Sequence, residues 1–150
     1  QEIDIRGDWY TIQYLSYTSG DIIDFTYRED YFTDSLMYTH AGSRVDVVIS
    51  PTRFYIKNDS LFVSYEMVNP NYEYKGKIKM VSKNHFIVYD DNNFFRMYFY
   101  RLMGKSEVLS KYVINLNSDN PRFIDSTNIF SKSFQKRSNE LYLKIKDTIS

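Results

Sequence analysis

The chain has 150 residues, enough for one domain with a real core, and its 43% hydrophobic and 25% charged content is ordinary for a folded globular protein. The 19 basic and 19 acidic residues cancel and form no polybasic or acidic run, which argues against a nucleic-acid or membrane-surface binder. With no cysteine there is no disulfide, no Cys-bound zinc and no thiol chemistry, and no stretch approaches the ~18 apolar residues of a membrane-spanning helix.

Aromatic residues are abundant: 15 Tyr, 11 Phe and 1 Trp. Such residues line ligand cavities and interaction surfaces. They are also good strand formers, and a Tyr/Asn/Lys/Ile-rich composition can follow from nucleotide bias. At the N-terminus, Gln1-Glu2 stands a few residues before the first strand, like a mature end left by signal-peptide removal. Export to a periplasmic or extracellular location is therefore the expectation, although a trimmed chain would begin the same way.

From residue 5 to about 104 the chain reads as short aromatic and β-branched runs separated by turn residues. Trp9 to Leu15 is the first run, closed by the turn cluster Thr18-Ser19-Gly20-Asp21. Tyr31-Phe32 and Leu36-Met37-Tyr38 follow, ended by His40-Ala41-Gly42-Ser43, and Val45 to Ile49 is stopped by Ser50-Pro51. The clearest hairpin joins Phe54-Tyr55-Ile56-Lys57 to Leu61 through Met67 across Asn58-Asp59-Ser60, since Asn and Asp tolerate the left-handed backbone of a tight turn. Strands around Tyr74 to Val81, Phe86 to Tyr89 and Phe94 to Leu102 complete about eight, the number and spacing of a closed antiparallel barrel.

Beyond Gly104 the composition changes. Residues 105–125, with Pro121, predict an irregular surface crossing, after which Ser126-Thr127 can cap a helix over about 127–146. Phe130, Phe134, Leu141 and Ile145 fall at helical spacings along it. The expected fold is thus mainly β: an eight-stranded antiparallel up-and-down barrel with one C-terminal α-helix packed on it in the same domain.

Four features resemble one family. Gly7-Asp8-Trp9-Tyr10 is similar to the Gly-x-Trp motif that opens the first strand of lipocalins and the wider calycin barrels, and Tyr100-Arg101-Leu102 ends the last strand where those families place an arginine. A C-terminal helix follows, and Phe54-x-Ile56-x-Asn58-Asp59-x-Leu61-x-Val63 resembles the central hairpin of bacterial lipocalin-like domains. The resemblance implies that Gly7, Trp9 and Arg101 close one barrel end structurally, the arginine lying across the indole. Asp90-Asp91-Asn92-Asn93 stands where lipocalin carriers have Thr-Asp-Tyr, which favours a divergent bacterial lipocalin-like family.

Catalysis has little support. His40 and His85 lie beside turn residues and would have to meet in space, with Asp90 or Asp91, to hold a metal. Surface or loop histidines, a solvated Asp90-Asp91 turn, and no metal or cofactor are the expectation. Asn58-Asp59-Ser60 matches a glycosylation acceptor, but the hairpin turn accounts for it. Function is better sought inside the barrel, which is either filled or leaves room for one small ligand. Phe54, Ile56, Val63, Tyr65, Met67, Ile78, Met80, Phe86, Val88, Phe95, Met97 and Phe99 form the predicted inward set. Phe54, Tyr65, Met67, Met80, Phe86 and Met97 are the ligand-binding candidates, with Tyr65 and Met67 at the mouth. The leading reading is a monomeric, non-catalytic carrier of an apolar or amphipathic small molecule. Its rival is a protein–protein module, an inhibitor or immunity-type protein with a filled barrel. That partner would grip the loops or the helix face bearing Lys132, Lys136, Arg137, Lys144 and Lys146.

Overall fold

The computed structural model describes residues 2–16, 22–42, 47–90, 92, 95–104, 108–113, 123–125 and 129–149. Eight antiparallel strands run in chain order: β1 (Gly7–Ser16), β2 (Ile22–Phe32), β3 (Leu36–Gly42), β4 (Val47–Lys57), β5 (Ser60–Ser64), β6 (Glu73–Ser82), β7 (His85–Asp90) and β8 (Phe95–Arg101). Each pairs with its sequence neighbour, and the β1–β8 pairing, with Trp9 opposite Arg101, closes the barrel. One turn of helix, α1 (Ser110–Val113), a short strand β9 (Phe123–Asp125) and the long α2 (Ile129–Ile149) follow. No helix among the described residues is long and apolar enough to cross a membrane.

Alternation along the strands decides what faces inward. Trp9, Phe32, Phe54, Phe86 and Phe99 are all buried and meet at one end of the barrel. Phe86 meets the Trp9 ring edge-on at 4.6 Å and stacks on Phe99 at 4.4 Å, while Phe32 packs edge-on against Phe54 at 5.3 Å. Arg101 then covers the indole, its guanidinium carbon 3.9 Å from the ring centroid, and donates hydrogen bonds to the carbonyls of Arg6 (2.6 Å) and Lys83 (3.0 Å). Trp9 itself donates Nε1–H to the Ile5 carbonyl at 2.8 Å. Gly7 has φ +116°, a backbone that favours glycine, and a β-carbon there would stand 2.6 Å from Arg101 Nη1 and push the guanidinium off its place. That end is sealed.

The hairpin between β4 and β5 turns on two residues, Asn58 (φ 52°) and Asp59 (φ 62°), the left-handed pair of a type I′ turn. Several boundaries differ from the sequence expectation: β5 ends at Ser64, short of Met67, and α2 runs on to Ile149. β2 starts at Ile22, well before Tyr31, because its charged residues hide its strand pattern. β3 continues through His40 to Gly42, so His40 is a buried strand residue and not a loop one. Ser50-Pro51 does not stop a strand: β4 runs straight through it. Tyr38 pairs with Pro51 on the β3 side, while among the described residues the other edge of β4 is bonded at residues 47–49, to β9, and 53–57, to β5. Pro51 falls between these two stretches, where no pairing of the described residues loses a ladder bond to its missing N–H. Within 105–125, α1 and β9 add regular structure; the Thr18–Asp21 turn, Ser43, Pro121 and the Ser126-Thr127 cap lie outside the described residues.

α2 packs on the outer face of β2 and β3. Phe134 is buried there, 4.5 Å from the His40 ring and 5.3 Å from the Tyr27 ring. Arg137, expected on a solvated basic face, is instead buried; its Nε and Nη2 donate to both oxygens of the fully buried Glu29 carboxylate at 2.9 and 2.8 Å. Tyr27 donates its hydroxyl to the same carboxylate at 2.7 Å. Lys132, Lys136 and Lys144 remain exposed. A buried charge needs such a partner, and burying one without it is expensive.

Two predictions follow from this packing. Arg101→Met removes the ring contact and two hydrogen bonds and should lower stability by about 1–2 kcal/mol in urea unfolding, without changing the barrel's circular dichroism. Burial beside Arg137 holds the His40 imidazole down to about 2, far below its usual value. The unfolded chain takes up that proton below about pH 6.5 and the folded chain does not, so this stability is present above pH 6.5 and lost as pH falls. Stability should drop by about 2 kcal/mol between pH 6.5 and pH 5. Burial pushes the Glu29 carboxyl up, which acts in the opposite sense, so the measurement is the difference between the pH profiles of wild type and His40→Phe. Parallel profiles would refute the assignment.

Candidate functional site

Away from the sealed end the barrel is hollow. A cavity of about 470 Å³ is lined by Met37, Pro51, Leu61, Val63, Met97 and Phe99, with Tyr65 and Met67 at its rim. Tyr65 is two-thirds exposed, past the end of β5. The volume is in the range of small-molecule sites, roughly 300–1,000 Å³. Barrel filling is therefore graded: rings pack one end solid, and the smaller Thr, Val, Leu and Met side chains toward the other leave space.

Polar groups enter this mostly apolar space from two strands. On β2, Arg28, Asp30 and Phe32 share the inner face, since alternate strand residues point the same way. Asp30 is fully buried and accepts hydrogen bonds from Thr11 Oγ1 (2.5 Å), Thr39 Oγ1 (2.8 Å) and Arg28 Nε (3.2 Å). It anchors the guanidinium of Arg28, whose side chain keeps 21% exposure and lines the cavity. Lys75 arrives by a different route. The β5–β6 register slips so that Leu61 faces Gly76 while Phe62 faces Tyr74, leaving Lys75 as the extra residue of a bulge. Bulges re-aim side chains. Lys75 accordingly lines the cavity, with its ammonium 5.5 Å from the Phe95 ring centroid.

Of the six ligand-binding candidates named from the sequence, Tyr65, Met67 and Met97 line this cavity. Phe86 is fully buried beneath Trp9 in the sealed end, and Met80 is partly buried against the same core. Phe54, also in that core, borders a wider groove of about 920 Å³ outside the sealed end, among Glu2, Asp4, Arg6, Asp34 and Asp59. That groove is larger, but it is a polar surface concavity, whereas the smaller space is walled by the barrel interior. His40 and His85 are not brought together: the first lies under α2, and the second stacks on Tyr100 at 4.3 Å on β7. Among the described residues no three His, Asp or Glu side chains converge as a metal site, and Asp91 lies outside them.

Sequence reading missed Arg28, Asp30 and Lys75. For Lys75 a signal existed, since Gly76 inside a strand marks a bulge or a close backbone approach. A β-carbon there would meet the Tyr89 carbonyl oxygen at 2.7 Å. For Arg28 and Asp30 the residues themselves offered none.

Because three donors converge on Asp30, Asp30→Asn should cost about 1–3 kcal/mol in urea unfolding, and Thr11→Val about 1 kcal/mol. Equal stability of Asp30→Asn and wild type would mean that the carboxylate does not organise the cavity wall. Comparison with known protein families, with curated proteins and with solved structures finds no match to this chain.

Proposed function

We propose that this chain is a non-catalytic binding protein that takes an apolar or amphipathic small molecule into the barrel. One observation carries the reading: the mainly apolar cavity of about 470 Å³ inside a barrel whose opposite end is packed solid. A space walled by Met, Leu, Val and Phe side chains gains free energy when apolar surface replaces its water. Met37, Met67 and Met97 can adapt to more than one ligand shape. The Gly7, Trp9 and Arg101 arrangement, with the helix packed outside the strands, supports placing the chain among divergent lipocalin-like barrels.

A protein–protein module is the second reading, and the outer face of β4–β6 favours it. Tyr55 stacks on Phe62 at 4.8 Å, Tyr72 meets Tyr55 edge-on, and Tyr74 meets Phe62 edge-on. Tyr55 and Tyr74 are 40% and 48% exposed. Aromatic patches of this kind suit interfaces.

Titration with the uncharged fluorophore N-phenylnaphthylamine separates the two. Saturable one-to-one uptake, weakened about tenfold or more by Val63→Trp but not by Tyr55→Ser, is the expected outcome for a carrier. Absence of uptake by the wild-type protein, with native mass spectrometry showing no co-purified molecule, would remove the carrier reading and leave the aromatic face.

A further inference from the structure

The geometry points to an anionic amphiphile as the cavity's ligand: a molecule with an apolar body and one carboxylate-type head held between Arg28 and Lys75. This rests on the carrier reading above and adds to it the charge and orientation of the ligand.

Four observations support it. The described residues lining the cavity include two cations, Arg28 and Lys75, and no acid. Asp30, the carboxylate that fixes Arg28, is fully buried behind it and already accepts from two threonine hydroxyls. Arg28 spends only Nε on Asp30. Its Nη2 reaches only the Met97 thioether, at 3.7 Å, and Nη1 donates to nothing among the described residues. A guanidinium has five N–H donors in a planar fork that matches a carboxylate, and a thioether is a weak acceptor. Its donor-rich edge is thus held in place facing the cavity and little used. Lys75 is turned into the same cavity by the β6 bulge, and no carboxylate among the described residues pairs with it.

An uncharged ligand would leave both cations beside an apolar body with their water stripped away, which is unfavourable. An anionic head supplies the missing acceptor and leaves Met37, Leu61, Val63 and Phe99 to cover the tail. Laurate and lauryl alcohol share a chain and differ at the head, so the ratio of their affinities reads the head group alone. Both would be measured by displacement of N-phenylnaphthylamine, at low and at high salt.

Wild type is expected to hold laurate about tenfold more tightly than the alcohol, with a smaller ratio at high salt. Lys75→Met, a change at a partly exposed site, should cut the ratio several-fold. Removing Arg28 alone would strand Asp30, so the second variant is Arg28→Met with Asp30→Asn, which should bring the ratio close to one. Naphthylamine uptake with equal affinity for acid and alcohol would overturn the anionic head group and leave the carrier reading standing. So would a preference that survives both variants. No uptake of any probe by wild type would sink both.

Discussion

A strand covered on both faces has nowhere to leave a charge unpaired, and β2 is such a strand. Arg28, Glu29 and Asp30 are consecutive, Glu29 and Asp30 are fully buried, and alternation sends them to opposite sides of the sheet. Glu29 faces outward, where α2 covers it, and Arg137 answers it with two hydrogen bonds. Asp30 faces inward, where Thr11, Thr39 and Arg28 answer it. The docking of the helix and the polar wall of the cavity are therefore two solutions to one problem, the burial of successive carboxylates. Moving β2 by one residue would exchange the faces and leave both without partners, so these charges also hold the register.

The barrel's interior divides along its axis for a simpler reason. Flat rings stack and meet edge-on to fill space, and Trp9, Phe32, Phe54, Phe86 and Phe99 do so under the cover of Arg101. Beyond them the inward positions carry Met37, Thr39, Thr52, Leu61 and Val63, which are too small to meet across the barrel. The solid half makes the open half useful, because the filled end provides the rigidity against which a cavity can persist.

Much of this was legible in the residues. The inward positions Phe54, Val63, Ile78, Phe86, Val88, Met97 and Phe99 are all buried, because period-two alternation is a direct consequence of strand geometry. The Asn58-Asp59 hairpin was readable for the same kind of local reason. What stayed hidden depends on contacts far along the chain. The start of β2 and the role of Arg137 could be recognised only by knowing that a helix more than a hundred residues later covers Glu29. His40 read as a turn residue because its neighbours are Ala41-Gly42, yet Phe134 covers it. Pro51 read as a stop because a proline's neighbour gap is not written beside it. Three of the six candidates chosen by alternation, Tyr65, Met67 and Met97, line the cavity, while its charges were missed, since alternation ranks an inward arginine or lysine as solvent-facing.

The gap beside Pro51 matters beyond topology. β5 is only five residues long, so the first half of β4 would present bare N–H and C=O groups to any passing strand. β9 occupies that ledge at Val47–Ile49, and Pro51 has no N–H to offer between the β9 and β5 pairings of the described residues. A three-residue segment and one imino acid together blunt this edge, the kind of edge from which a β-rich chain can grow into fibrils.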